Sequence, residues 1–144
     1  MIQSSTPALP CMCATLRRAS RALSQHYEGT LRPLGLRMTQ FTVLQLLFLA
    51  GEMTQGALGH MLAIDSTTLT RTLEIMGRHG WIEKRRGEGR REWRIRLIKA
   101  GETQVKRALP YWQKVQTQLR NQLGEGVWES LLKLTNQVTD AVIQ

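Results

Sequence analysis

The 144-residue chain has little cysteine, little histidine and few acids, and each shortage removes a class of protein. Two cysteines, Cys11 and Cys13, are too few and too close to frame a disulfide-stapled domain. Stability must therefore come from a packed core, and the chain suits a reducing cytoplasm. Three histidines, His26, His60 and His79, lie on separate stretches, and there is no CxxC pair and no glycine-rich phosphate loop after a strand-like run. A catalytic cluster is missing, so no enzyme, no cofactor and no catalytic metal is expected. Long apolar runs are missing too. The richest, 41–50, is interrupted by Thr42 and Gln45 and falls well short of the roughly 18 to 20 residues that span a bilayer. The first ten residues lack an apolar core preceded by positive charge and do not read as an export signal.

Acids are the most telling shortage. Eleven Asp and Glu face 20 Lys and Arg, giving a net charge of +9 and a pI near 10.6. Such an excess calls for an anionic partner, nucleic acid first and a membrane surface second. A membrane-surface protein carries its bases along an amphipathic helix, whereas here they concentrate on a hairpin, so no membrane partner is expected. With 42% hydrophobic residues the length supports one globular domain with a real core.

That domain is organised around residues 54–97. Thr54 is a good N-cap for a short helix with Leu58, Met61 and Leu62 at apolar spacings of three and four. Ala63 and Ile64 lead into Asp65, which can cap a second helix over 66–79, and two short helices joined so tightly cross at a steep angle. On the second helix Leu69, Leu73 and Met76 share the inward face. Ser66, Thr67, Thr68, Thr70 and Arg71 are the candidate DNA-reading residues, with Glu74 also facing out. Short hydroxyls and one arginine on the first turns fit a major groove without clash, and threonine is too mediocre a helix former to be there for propensity.

Gly80 ends that helix, and Trp81 with Ile82 starts a strand. Lys84, Arg85 and Arg86 precede a turn at Gly87, Glu88 and Gly89. Arg90 and Arg91 follow, and a return strand alternates Trp93, Ile95 and Leu97 with Arg94 and Arg96. The period of two gives one buried face. Glu83, Glu88 and Glu92 do not offset the bases between Lys84 and Lys99. A hairpin of this kind beside a groove-entering helix is a wing suited to phosphates or the minor groove, through Arg85, Arg86, Arg90 and Arg91.

Outside this unit, 1–10 is rich in Ser, Thr and Pro and reads as a loose N-terminus. A helix runs from Cys11 or Met12 to about Leu31, carrying Leu16, Ala19, Leu23 and Tyr27 on one side, until Pro33 and Gly35 break it. A helix over about 39–50 is apolar around much of its circumference and belongs in the middle of the domain. A long helix over about 100–123 bears Val105, Leu109, Trp112, Val115, Leu119 and Leu123 in a narrow seam, with Pro110 expected to kink or break it. A last helix carries Val127, Leu131, Leu134, Val138 and Val142. The terminal helices have no room to bury these stripes on so small a winged domain, which predicts a twofold homodimer with two reading helices about one turn of DNA apart. The alternative is a three-helix packing within one chain.

The run LRPLGLRMTQFTVLQLL, the segment IDSTTLTRTLEIMGRHGW and the arginine-rich hairpin ending at Gly101 resemble MarR-type winged helix-turn-helix regulators. The resemblance spans nearly the whole chain. It implies a mainly α fold with a small β-wing, in which 11–144 form a single domain: dimerisation helices at 11–32 and 100–144, and a DNA-binding part at 37–98. It further implies a cytoplasmic homodimer that binds a pseudo-palindromic operator on double-stranded DNA, as a repressor, under a small-molecule or oxidant effector. The family's Asp in the wing, two residues before an Arg at position 91, is replaced by Gly89. Its threonines before the second helix and after the wing are replaced by Arg37 and Lys99.

The resemblance also bears on the thiols. One branch of the family senses organic hydroperoxides with a cysteine near the start of the first helix and a tyrosine fourteen residues later that bonds its sulfur across the dimer. Cys13 and Tyr27 have that separation. A cysteine in a first helical turn has its thiolate stabilised by unpaired N–H groups, and Arg17 adds positive charge. Oxidation to a sulfenic acid and then a mixed disulfide would be reversible. Cys11 and Cys13 are too close for a relaxed internal disulfide. Two alternatives stay open: a soft metal ion on Cys11 and Cys13, or thiols with no signalling role. Other members of the family bind phenols or aromatic acids between the dimerisation helices and the winged part, where Tyr27, Met38 and Trp112 are candidates.

Overall fold

A computed structural model describes residues 5–89 and 92–143. It is mainly helical: α1 (Met12–Leu31), a 3-10 turn (Arg32–Leu34), α2 (Met38–Ala50), β1 (Met53–Thr54), α3 (Gln55–Leu62), α4 (Ser66–Arg78), β2 (Ile82–Arg86), β3 (Trp93–Leu97), α5 (Lys99–Leu123) and α6 (Glu125–Val142). The expected helices and hairpin are present within one or two residues of the expected bounds. The sheet has one strand more than the sequence suggested. Met53 and Thr54 pair antiparallel with Ile95 and Arg94, so the order is β1-β3-β2 and the return strand of the wing is central.

Local signals account for the boundaries. Thr54 Oγ1 accepts from the Ala57 amide at 3.0 Å, and Asp65 Oδ1 accepts from the Thr68 amide at 2.8 Å, satisfying donors that a helix start leaves open. At α2, which Arg37 precedes, no Ser, Thr, Asp or Asn is in place to cap the helix, and the caps come from elsewhere. Gln40 Oε1 accepts from the Arg37 amide and Glu28 Oε1 from the Met38 amide, both at 3.1 Å, the latter tying α1 to α2. Gly80 adopts φ +75° after α4, a conformation open to glycine. Ala63 takes φ +50° at the turn between α3 and α4, a left-handed position with no glycine to mark it.

The core joins α2, the inward face of α4, the base of the wing and the first half of α5, through Phe41, Leu44, Leu58, Leu69, Met76, Ile95 and Val105. Burial of this set is the main stabilising term. Gly101 lies where α5 crosses the start of the wing, and a Cβ built there would stand 2.0 Å from the Trp81 carbonyl oxygen. The same carbonyl accepts from the Ile98 amide at 3.1 Å, so helix and wing are locked at this crossing.

Several expectations are corrected. Pro110 does not break α5, which runs unbroken through it, with Ala108 and Val115 buried on either side. The α5 seam is not wholly left for a partner, since Val105, Ala108 and Val115 are buried within this chain and Leu109 and Trp112 pack on the core. Met61 is exposed rather than inward, because of the residues of α3 only Leu58 is buried in the core. Residues 5–10 form no helix or strand, and Arg18 donates to the Pro7 carbonyl at 3.0 Å; residues 1–4 of the expected loose N-terminus lie outside the described residues. The stripe on α6 does remain uncovered, with Val127, Leu131, Leu134, Val138 and Val142 between 37% and 74% exposed. Among the described residues no helix is long and apolar enough to cross a membrane.

Candidate nucleic-acid interface

The α4 helix puts Leu69, Leu73 and Met76 into the core, which fixes its rotation and leaves Ser66, Thr67, Arg71 and Glu74 exposed and Thr70 half-buried. Arg71 has no ion-pair partner among the described residues, so its guanidinium is available. The first turn is otherwise engaged at one point. Thr68 Oγ1 donates to Asp65 Oδ2 at 2.7 Å while its amide donates to Oδ1, so the Thr68 side chain is turned back into the cap. Those bonds, the amide's first, hold the Asp65 carboxyl below its ordinary range and keep it charged. Thr70 Oγ1 accepts from Gln55 Nε2 at 3.0 Å, joining α4 to the first residue of α3.

The wing stands beside this face. Ser66 and Thr70 of α4, Thr54 and Gln55 at the start of α3, and Lys84 and Trp93 of the wing line one open cleft of about 1310 Å³, which the end of α6 also borders. The start of α4 and the core-side face of the wing therefore open onto the same space. On that face Arg86 lies 4.5 Å and Lys84 5.0 Å from the Trp93 ring centroid, so a half-buried indole carries two cations.

The opposite face of the wing is braced by acids. Glu52, just before β1, receives Arg85 Nε and Nη2, each at 2.9 Å, and Arg94 Nε at 2.8 Å. Arg94 also reaches Glu92 at 3.0 Å, and Arg96 reaches Glu83 at 2.7 Å. One carboxylate thus ties the two outer strands across the central one. The bonds from Arg85 and then Arg94 hold the Glu52 carboxyl down to about 2 against an ordinary 4.5. At the turn, the Gly87 amide donates to the Glu92 carbonyl at 2.9 Å, and a Cβ on Gly87 would press into the Glu92 side chain.

The sequence-derived candidates are thus brought together unequally. Ser66, Thr67, Thr70 and Arg71 share the exposed surface of α4; the Thr68 hydroxyl donates to the Asp65 cap; Arg85 is spanned by Glu52; Arg86 lies over Trp93. Arg90 and Arg91 lie outside the described residues. Sequence reasoning missed Glu52 and Gln55. The only available signal for Glu52 was an acid between a glycine helix stop and the Thr54 cap, and its partners become visible only once β1 is known to join the sheet.

The thiols are apart from this surface. Cys11 is the N-cap residue of α1 and Cys13 lies in its first turn, both exposed. Tyr27 is buried near the other end, and its hydroxyl donates to Gln116 Oε1 of α5; burial raises the phenol's pKa. Fourteen residues of helix separate Cys13 from Tyr27 by roughly 21 Å, so any bond between them must join two copies of the chain. Among the described residues no group of three His, Cys, Asp or Glu is placed to hold a metal ion.

Comparison with known proteins places this geometry. The MarR family model matches residues 36–92. An uncharacterized HTH-type transcriptional regulator of Bacillus subtilis (strain 168), YwoH, is 32% identical over 87 residues, covering 60% of this chain and 64% of that protein. The organic hydroperoxide resistance transcriptional regulator of the same strain is 32% identical over 77 residues, covering 54% and 52%. The chain thus spans between half and two thirds of the length of these two relatives. The M. tuberculosis transcriptional regulator MosR, solved in complex with DNA, is 34% identical with a TM-score of 0.80, covering 92% of this chain and 99% of that one.

Proposed function

The chain belongs to the MarR family of transcriptional regulators, and on that premise we propose that it binds a pseudo-palindromic operator as a homodimer and represses transcription in the cytoplasm. It acts by binding and not by catalysis. Residues 37–98 meet DNA, and 11–32 with 100–144 pair the two copies. The observation that carries this reading is the cleft shared by the start of α4 and the wing, with the hydroxyls of Ser66 and Thr67 and the guanidinium of Arg71 exposed beside it. Short hydroxyls suit base edges, and cations suit phosphates. The MosR structure, 34% identical and solved with DNA, supports the same use of the fold. The uncovered stripe of α6 supports the dimer, since apolar side chains in a row are the face a second copy would bury.

The effector in this reading is an oxidant acting on Cys13, which is exposed in a first helical turn and matched in spacing to Tyr27. The thiolate attacks a hydroperoxide oxygen, giving a sulfenic acid and an alcohol, and a second thiol then condenses with loss of water to leave a mixed disulfide. The one-third identity to a B. subtilis organic hydroperoxide resistance regulator favours this over a phenolic ligand or a soft metal at Cys11 and Cys13.

Selection of bound duplexes from random DNA, with and without hydroperoxide, tests both parts. An inverted repeat with half-sites about one helical turn apart is expected. Arg91→Ala should weaken binding to every duplex alike, whereas Thr67→Ala should shift sequence preference; equal effects of both on specific and random duplex contradict the assignment. Peroxide should release the wild type and not Cys13→Ser, and binding that is unchanged across a peroxide titration removes the redox reading.

A further inference from the structure

We infer that Gln55 is a specificity-determining positioning residue: by donating to the Thr70 hydroxyl oxygen it turns that hydroxyl into a hydrogen-bond donor toward DNA, so that one position of each half-site must offer an acceptor. The inference rests on the reading of α4 as the groove-facing helix. Gln55 Nε2 lies 3.0 Å from Thr70 Oγ1, and the Thr70 hydroxyl has no other partner among the described residues. Five other threonines in helices, Thr15, Thr42, Thr103, Thr135 and Thr139, donate to the carbonyl four residues earlier. Thr70 makes no such bond to the Ser66 carbonyl in the equivalent place, and its hydroxyl oxygen accepts from Gln55.

A hydroxyl has one hydrogen and two lone pairs. With one lone pair filled from the protein side, its hydrogen is left to point away from Gln55. Thr70 lines the cleft beside the wing and also borders the exposed surface formed by Ser66, Thr67, Arg71 and Glu74, so that direction leads toward the ligand side of α4.

The amide presents its nitrogen to Thr70. Gln55 Oε1 is buried without a hydrogen-bond partner among the described residues. An unmet buried oxygen is uncommon in native proteins and tends to persist where it serves a site.

The base chemistry follows. In the major groove guanine offers N7 and O6, thymine offers O4 and adenine offers N7 as acceptors, whereas cytosine offers only its N4 donor. A donor-oriented Thr70 therefore discriminates against cytosine at the base it faces. One net hydrogen bond supports a preference of about two- to tenfold.

The test compares duplexes selected from random DNA by the full chain and by four variants. Thr70→Val should flatten preference at one half-site position. Gln55→Met, which keeps length and removes both polar atoms, should relax the same position and no other, and Gln55→Met with Thr70→Val should do no more than Thr70→Val alone. Gln55→Glu should reverse the preference, because a carboxylate only accepts; the Thr70 hydrogen would then turn inward and its lone pairs would favour the cytosine or adenine amino group. A merely structural role cannot produce that reversal. Unchanged preference in both Gln55 variants, or the same change in Met and Glu, overturns the inference while leaving the regulator reading intact. A wild-type chain that enriches no duplex overturns the regulator reading, and this inference with it.

Discussion

Gly101→Ala offers a sharp test of the packing, because helix propensity and the structure predict opposite signs. Within a helix, alanine is favoured over glycine by up to about 1 kcal/mol, so propensity alone expects a gain. At Gly101 the added methyl would stand 2.0 Å from the Trp81 carbonyl oxygen, 2.9 Å from its carbon and 3.0 Å from Leu97 Cδ2. The oxygen is backbone and cannot swing aside. To reach ordinary van der Waals separation the start of α5 must retreat by about 1.5 Å, which also opens the 3.1 Å bond from the Ile98 amide to the same oxygen. Overpacking of this kind costs about 1 to 3 kcal/mol, and a buried carbonyl left unpaired costs about 1 to 3 kcal/mol. The two penalties share one movement and do not simply add, so the net expectation is a loss of about 1 to 4 kcal/mol after the propensity gain. Urea unfolding at fixed protein concentration, followed by tryptophan fluorescence, measures it. A variant as stable as the wild type or more so would refute the close crossing of α5 over the wing.

Glu52→Gln removes the charge that joins β1 to both wing strands. Because the folded carboxyl is held at about 2 against an ordinary 4.5, its contribution is fully present above about pH 4.5 and is lost as pH falls toward 2. The wild type should therefore be more stable than the variant near neutral pH and the gap should close on acidification; a gap that is the same at pH 7 and pH 3 refutes the brace. Tyr27→Phe deletes the donor to Gln116 Oε1 and should cost about 0.5 to 1.5 kcal/mol in urea unfolding, and no measurable loss would remove that bond from the account of how α1 and α5 are held together.

The elements that were legible in the sequence are those whose signals are local. Thr54 and Asp65 cap the helices they precede because a side-chain oxygen needs only the next three residues to find its amide. The inward face of α4 was readable because Leu69, Leu73 and Met76 repeat at helical spacing and are all buried. What escaped is non-local. The strand β1 is two residues long and exists only because β3 is beside it. The helix α5 runs unbroken through Pro110, with Ala108 and Val115 buried on either side. Within the site, the surface character of α4 was readable from its own residues, whereas the turning of Thr68 into the cap and of Thr70 toward Gln55 depends on which of several partners lies closest.

The distribution of charge follows from the same distinction. By count, the wing looks like a dense patch of bases. Three of them, Arg85, Arg94 and Arg96, are held by Glu52, Glu92 and Glu83 on one face, and Lys84 and Arg86 lie over Trp93 on the other. A guanidinium already paired to a carboxylate releases fewer counterions when it meets a phosphate, so a paired arginine contributes less to affinity than its formal charge suggests. The acids on the wing thus set its shape at the expense of its attraction. On the proposed reading, Arg71, without an ion-pair partner among the described residues and one turn beyond Ser66 and Thr67, would carry a larger share of the phosphate contact than a count of bases assigns it.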